Sequence, residues 1–161
     1  MEYEIIIDKL DIKEINIYSN IINNVFDEFV GKDYSEKGNR TFKDFTNPKN
    51  VLARLNNENN LCLVAKYNNE IIGILEIKNY DHISLFFVKK DFHNKRIGKI
   101  LFEYFINIIK RENMEINNIS VNSSIYAENI YSKLGFIKTD EIQEKDGIKF
   151  IPMEYKLWCI K

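Results

Sequence analysis

Polar and apolar residues follow two different rhythms along this chain, and the switches between them mark its elements. The run "YEIIID" (Tyr3 to Asp8) predicts a strand. Ile15, Tyr18, Ile22, Phe26 and Phe29 then recur at steps of three and four, which is one face of a helix. From Gly31 to Asn60 no rhythm holds for long, and the segment reads as a loop followed by a short helix in "NVLARLNN". Long irregular segments in compact domains are often functional. "LCLVAKY" and "IIGILEIKN" are strands joined by the tight turn "NNE", and "HISLFFV" is a further strand.

The second half is more regular. Ile97, Ile100, Leu101, Tyr104, Phe105, Ile108 and Ile109 predict a helix over Arg96–Arg111. "NISVNS" is a strand. "AENIYSKL" is a short helix with Ala127, Ile130, Tyr131 and Leu134 on one face, and Gly135 ends it as a C′ residue would. "GFIKTDEI", the turn "EKDG" and "IKFIPMEYKLW" predict a closing hairpin. The order β-α-α-β-β-β-α-β-α-β-β describes an α/β protein with a mixed sheet, in one domain spanning residues 1–161.

Composition narrows the class. The 161 residues suit one domain, and 45% hydrophobic with 29% charged residues is ordinary for a globular protein. A formal net charge of -1 argues against a general nucleic-acid binder. No stretch reaches the roughly 18 apolar residues of a membrane span, and the acidic N-terminus lacks a signal-peptide core. A cytoplasmic protein without nucleic-acid or membrane partners is expected. Cys62 and Cys159 sit in apolar stretches and read as buried thiols in a reducing compartment.

The stretch "FFVKKDFHNKRIGKILFEYF" (Phe86 to Phe105) runs from a strand through a basic turn into a helix. A helix N-terminus leaves backbone N–H groups without internal partners, a ready site for an anion. Gly98 allows close backbone approach. Cations there are unfavourable by a few tenths of a kcal/mol each, so Lys95, Arg96 and Lys99 mark either a phosphate site or a solvated basic turn.

The stretch "SSIYAENIYSKLGF" resembles the C-terminal motif of the GCN5-related N-acetyltransferases, Asn-x-x-Ala-x-x-x-Tyr-x-x-Leu-Gly-Phe. Ala127, Tyr131, Leu134, Gly135 and Phe136 match, and Ser124 stands at the Asn position. The basic turn resembles the family's acetyl-CoA motif, Gln/Arg-x-x-Gly-x-Gly/Ala. His93 stands for Gln/Arg, Arg96 for the first glycine, and Gly98 keeps the second. The element order is also similar.

This resemblance implies the acyl-CoA N-acyltransferase fold, acetyl-CoA as cosubstrate, no metal, and transfer to a primary amine of a small molecule or peptide. It implies cofactor contacts at Phe86, Phe87, Val88, His93, Asn94, Lys95, Arg96, Ile97, Gly98, Lys99, Ser124, Ala127, Tyr131 and Lys133. A homodimer through the C-terminal strands is compatible with it. In the family a backbone N–H of the fourth strand, beside a bulge, polarises the thioester carbonyl. Phe86 holds that position, and Val88 would pair its backbone with the pantetheine arm. Tyr131 holds the general-acid position, or is an aromatic anchor of its helix.

A lysine-like amine with pKa near 10.4 is almost wholly protonated at pH 7, so a base is useful. His82, four residues before Phe86, holds a catalytic position of the histone acetyltransferase branch, or is a strand histidine without a role. Glu76 is the second candidate base, or a solvent-facing strand residue. Two rival readings stand beside the enzyme. One is a CoA-binding domain of the same fold without turnover. The other is a nucleotide-binding βαβ protein, against which the two hairpins speak. The acceptor pocket is expected from the Gly31–Asn60 segment and the last hairpin.

Overall fold

The computed structural model describes residues 4–157. Among them stand eight strands and five α-helices, in the order β1 (Ile6–Lys9), α1 (Ile15–Phe29), α2 (Glu36–Phe45), α3 (Pro48–Leu55), β2 (Leu61–Tyr67), β3 (Glu70–Lys78), β4 (His82–Val88), α4 (Ile97–Arg111), β5 (Asn118–Ser123), α5 (Glu128–Leu134), β6 (Ile137–Lys138), β7 (Gln143–Lys145) and β8 (Ile148–Lys156). Tyr3, Trp158 and Cys159 lie outside the described residues.

Most elements fall where periodicity places them. The segment from Gly31 to Asn60 does not: the expected loop holds a second helix, α2. Ser35 starts it by accepting the Gly38 N–H on its side-chain oxygen at 3.0 Å. Asn47 caps α3 in the same way from Asn50, with Pro48 in its first turn. Only Gly38 and Phe42 of α2 are buried, so the helix carries too short an apolar stripe to announce itself. "GFIKTDEI" is likewise not one strand. It breaks into the two-residue β6 and the three-residue β7, both exposed, each pairing with β8.

The sheet runs β1-β2-β3-β4-β5-β8-β6, with β7 also paired to β8. Every neighbouring pair is antiparallel except β4 and β5. That parallel pair is joined only at His82–Ser120 and Ile83–Val121. On β3, Ile77 faces Ile83 and Glu76 faces Leu85. Ser84 is therefore an extra residue, a bulge that bends β4 away from β5. Beyond it the sheet splits. β4 stays with β3 and β5 stays with β8.

Each face of the sheet has its own core. Ile97, Leu101, Phe102 and Phe105 of α4 pack with Ile72, Leu75 and Ile83, and Tyr131 of α5 joins them. On the other face Tyr18, Ile22 and Phe26 of α1 pack with Phe42, Val51, Val64 and Ile74. Cys62 is buried on this second face. The β7–β8 turn reaches over to α2, where Gly38 meets Gly147. A Cβ on Gly38 would lie 2.3 Å from the Gly147 carbonyl oxygen, so a side chain at position 38 would push the hairpin off the helix. No helix of the described residues is long and apolar enough to cross a membrane.

Candidate active site

The split between β4 and β5 leaves backbone groups without a ladder partner. The Lys89 N–H donates to the Ile72 carbonyl at 2.8 Å. Bonded and non-bonded pairs alternate along an antiparallel ladder. Phe87 (opposite Ile74) and Leu85 (opposite Glu76) are thus bonded to β3. Phe86 and Val88 turn their N–H and C=O groups the other way, into the split. Their side chains follow the same alternation. Phe86 faces α4 and α5, with its ring 6.0 Å from that of Tyr131. Phe87 faces α2, 6.0 Å from the Phe42 ring. Phe87, expected beside the cofactor, therefore has its backbone engaged by β3 and its side chain on the opposite face.

A cavity of about 490 Å³ passes through the split. Its α4–α5 side is lined by Phe86, Val88, His93, Asn94, Arg96, Ile97, Gly98, Lys99, Ser124, Ala127, Tyr131 and Lys133. Lys95 belongs to the same turn but not to the lining. On the other side stand Val25 and Val30 from the end of α1, Tyr34 and Phe42, and Leu85 and Phe87 of β4. Ser84 and Asn122 lie in the split itself. Val25, Val30 and Tyr34 carry no motif and were not foreseen as individual site residues. Of the two segments expected to form the acceptor pocket, Gly31–Asn60 contributes to the lining. The last hairpin does not, and instead buttresses α2 from behind.

The basic turn has a strained backbone. Arg96, the N-cap of α4, has φ 64° and ψ 17°, and Asn94 has φ 62°. This left-handed conformation favours glycine. Arg96 adopts the turn that a glycine would form without strain, so the substitution in the motif does not close the loop. Gly98 lies against Phe86: a Cβ there would sit 3.4 Å from the ring. His93, expected to contact the cofactor, lines the cavity and is also bonded within the chain. Its Nε2 lies 2.7 Å from the Val88 carbonyl oxygen, so that nitrogen must carry the proton and donate. Its ring stands 5.1 Å from that of Phe29. His93 thus ties the turn to β4 and α1. At the Asn position of the second motif, the Ser124 hydroxyl accepts the Ala127 N–H at 3.2 Å and fixes the entry to α5.

Tyr131 is buried, and desolvation pushes its phenol well above 10, with a smaller contribution from Tyr34 across the cavity. Its hydroxyl has no hydrogen-bond partner among the described residues, yet no enclosed polar side-chain atom there is left unsatisfied. The hydroxyl therefore opens onto the cavity. Burial also pushes Tyr34 up to about 12, helped by Asp33.

The two candidate bases lie outside the lining. His82, at the start of β4, places Nδ1 2.7 Å from the Ser120 hydroxyl, and burial lowers its pKa. Glu76 is not a solvent-facing residue. It is 3% exposed and lies between Tyr18, whose hydroxyl donates to it, and Arg54, whose Nε donates at 2.7 Å. Arg54 in turn donates to the Phe45 carbonyl at 2.6 Å and stacks on the Phe45 ring at 3.7 Å. Burial and the neighbouring carboxylate together raise the Tyr18 phenol. A carboxylate so engaged ties α1 and the α2–α3 segment to β3, and is not free to take a substrate proton.

Residues 30–157 match the acetyltransferase (GNAT) domain family. No curated protein is significantly similar in sequence. Several solved structures share the fold. A GCN5-related N-acetyltransferase from Rhodopseudomonas palustris is 18% identical, with 98% of this chain and 99% of that one covered and a TM-score of 0.81. The PaiA N-acetyltransferase from Thermoplasma acidophilum, in complex with coenzyme A, is 22% identical over 95% of this chain and 99% of its own, with a TM-score of 0.76. A spermidine N-acetyltransferase chimera that includes Vibrio cholerae sequence is 10% identical over 95% of each chain, with a TM-score of 0.67.

Proposed function

The chain belongs to the GNAT acetyltransferase family, and we propose that it moves the acetyl group of acetyl-CoA to a primary amine by direct attack in a ternary complex. The observation that carries this reading is the split beside β4. It turns the Phe86 and Val88 backbone groups away from β3 toward an extended arm, at the mouth of a turn that leads into the N-terminus of α4, where backbone N–H groups suit a pyrophosphate. The structure of PaiA with coenzyme A supports the same ligand class.

In this reading Val88 pairs with the pantetheine arm, once His93 yields or shares the Val88 carbonyl. The Phe86 N–H points at the thioester oxygen and stabilises the negative charge that develops as the amine attacks. The carbon–sulfur bond then breaks and the thiolate leaves. A phenol at pKa 10 is a weaker acid than a thiol near 8.5, so full proton transfer to the thiolate is uphill by about 1.5 units, or roughly 2 kcal/mol. Burial of Tyr131 makes it steeper. Tyr131 therefore serves as a hydrogen-bond donor to the departing sulfur, and the amine's own proton completes the balance. His82 lies beyond the Ser84 bulge, outside the lining, and a proton could reach it only through water. The alternative of a CoA-binding domain without turnover is less well supported, because Arg96 keeps the turn open and Tyr131 is retained.

The test begins with calorimetry. CoA should bind the wild-type protein, and Gly98→Val, which sets a branched side chain between Phe86 and the phosphate turn, should weaken binding by tenfold or more, about 1.4 kcal/mol. Equal affinity in a folded variant would remove the turn from the site.

A further inference from the structure

We infer that the acceptor is a weakly basic primary amine on an apolar body, with a sizeable neutral fraction at pH 7, and not a polycation. This rests on the N-acetyltransferase reading above. The lining on the α1–α2 side of the sheet includes Val25, Val30, Tyr34, Phe42, Leu85 and Phe87. Five of these are hydrocarbon and the sixth is a phenol. Among the described residues, no Asp or Glu lines the cavity. Asp33, whose charge bears on Tyr34, stands outside the lining. The cationic groups that do line it are Arg96, Lys99 and Lys133, on the cofactor side. A polyamine or aminoglycoside would bring further ammonium groups into this space. They would be stripped of water with no carboxylate to meet them.

Proton chemistry points the same way. The attacking nitrogen must be neutral. At pH 7 a lysine-like amine is neutral in about one molecule in 2,500, whereas an α-amine of pKa 7.7–8.0 is neutral in about one in six to eleven. Nothing facing Phe86 would make up that difference. Glu76 is locked to Arg54 and Tyr18, and His82 is bonded to Ser120 outside the lining. His93 lines the cavity but is fastened at Val88, two residues or about 7 Å further along β4. An amine with a sizeable neutral fraction before it enters needs none of them. Arylamines and the α-amines of apolar amino-acid amides or short peptides share this chemistry.

Thiol release with the purified protein and acetyl-CoA tests it against three groups of acceptors. These are 4-alkylanilines of increasing chain length, the amides of leucine and phenylalanine, and spermidine with kanamycin. At least one of the first two groups should exceed the third in kcat/KM by tenfold or more, and which of them does so distinguishes the two sources. Within it, each methylene added to the buried body should improve kcat/KM by up to about fourfold. Faster acetylation of spermidine or kanamycin would overturn the inference, and so would no acetylation of either apolar group. Calorimetry on the same preparation separates the two failures. If acetyl-CoA binds and spermidine or kanamycin is acetylated, only the acceptor class is wrong; if it binds and no amine is acetylated, or if it does not bind, the N-acetyltransferase reading fails with it.

Discussion

The two walls of the cavity are built on opposite plans. The cofactor wall comes from two short continuous stretches, Phe86–Lys99 and Ser124–Leu134, and offers chiefly backbone groups: the free edge of β4 and the N-terminus of α4. The acceptor wall gathers side chains from α1, α2 and β4, which are far apart in sequence. It keeps its shape through contacts away from the cavity. Tyr18, Glu76 and Arg54 join α1, β3 and α3, and Gly38 and Gly147 join α2 to the last hairpin. One wall can be changed one group at a time, while the other stands or falls with its supports.

The strongest way to break this contrast is Glu76→Ala. It leaves the partly buried Arg54 without a counter-charge and the Tyr18 hydroxyl without its acceptor. Breaking such a pair costs about 3–5 kcal/mol. Arg54 keeps 19% of its side chain exposed, which favours the lower end, near 3 kcal/mol. Urea denaturation should show that loss, while CoA affinity in the folded fraction stays within twofold. A loss below about 1 kcal/mol would mean that the network does not hold the acceptor wall.

Tyr131→Phe probes the cofactor wall at one atom. Turnover should fall by about 10²-fold, the low end of the range for a general acid, since Tyr131 gives the sulfur a hydrogen bond and not its proton, and CoA affinity should barely move. Steady-state rates within threefold of wild type from pH 6 to 9 would reduce Tyr131 to a packing residue.

Arg96 sharpens the backbone side of the contrast. A residue with a Cβ in the left-handed region is strained by about 1 kcal/mol or more. Arg96→Gly should therefore be about 1 kcal/mol more stable than Arg96→Ala, although both lose the same guanidinium. Equal thermal midpoints would show that position 96 does not keep this conformation in solution.

The smallest effect belongs to His82. Burial lowers its folded pKa, so below about pH 6.5 the unfolded chain takes up the proton first. Its neutral form therefore favours folding above that pH, and the contribution is lost as pH falls through the folded pKa. Urea curves at pH 8 and 5.5 should differ less for His82→Gln than for wild type. An unchanged difference would assign the acid sensitivity elsewhere.

Local order made the cofactor wall legible. A strand running into a basic turn and a helix, and a short helix closed by Gly135, each place their residues through bonds between near neighbours in the chain. The family resemblance rests on the same two stretches. Even there, alternation along β4 had the last word, because it sets Phe87 on the opposite face from Phe86 and Val88. The left-handed turn at Arg96 was hidden for another reason. An arginine does not advertise a conformation that glycine favours.

On the acceptor side nothing local sufficed. Periodicity places α1 but does not say that Val25 and Val30 line the same cavity as Phe87. The sparse stripe of α2 does not reveal a helix at all. Glu76 reads as an ordinary strand carboxylate until the register of β3 against its neighbours carries it under α1 and α3. Dihedral preferences and side-chain period act over a few residues, and those decide elements and their caps. Which side chains converge on the amine is set by strand register, the Ser84 bulge and the docking of helices across the sheet. Those are long-range contacts, and only the folded chain contains them.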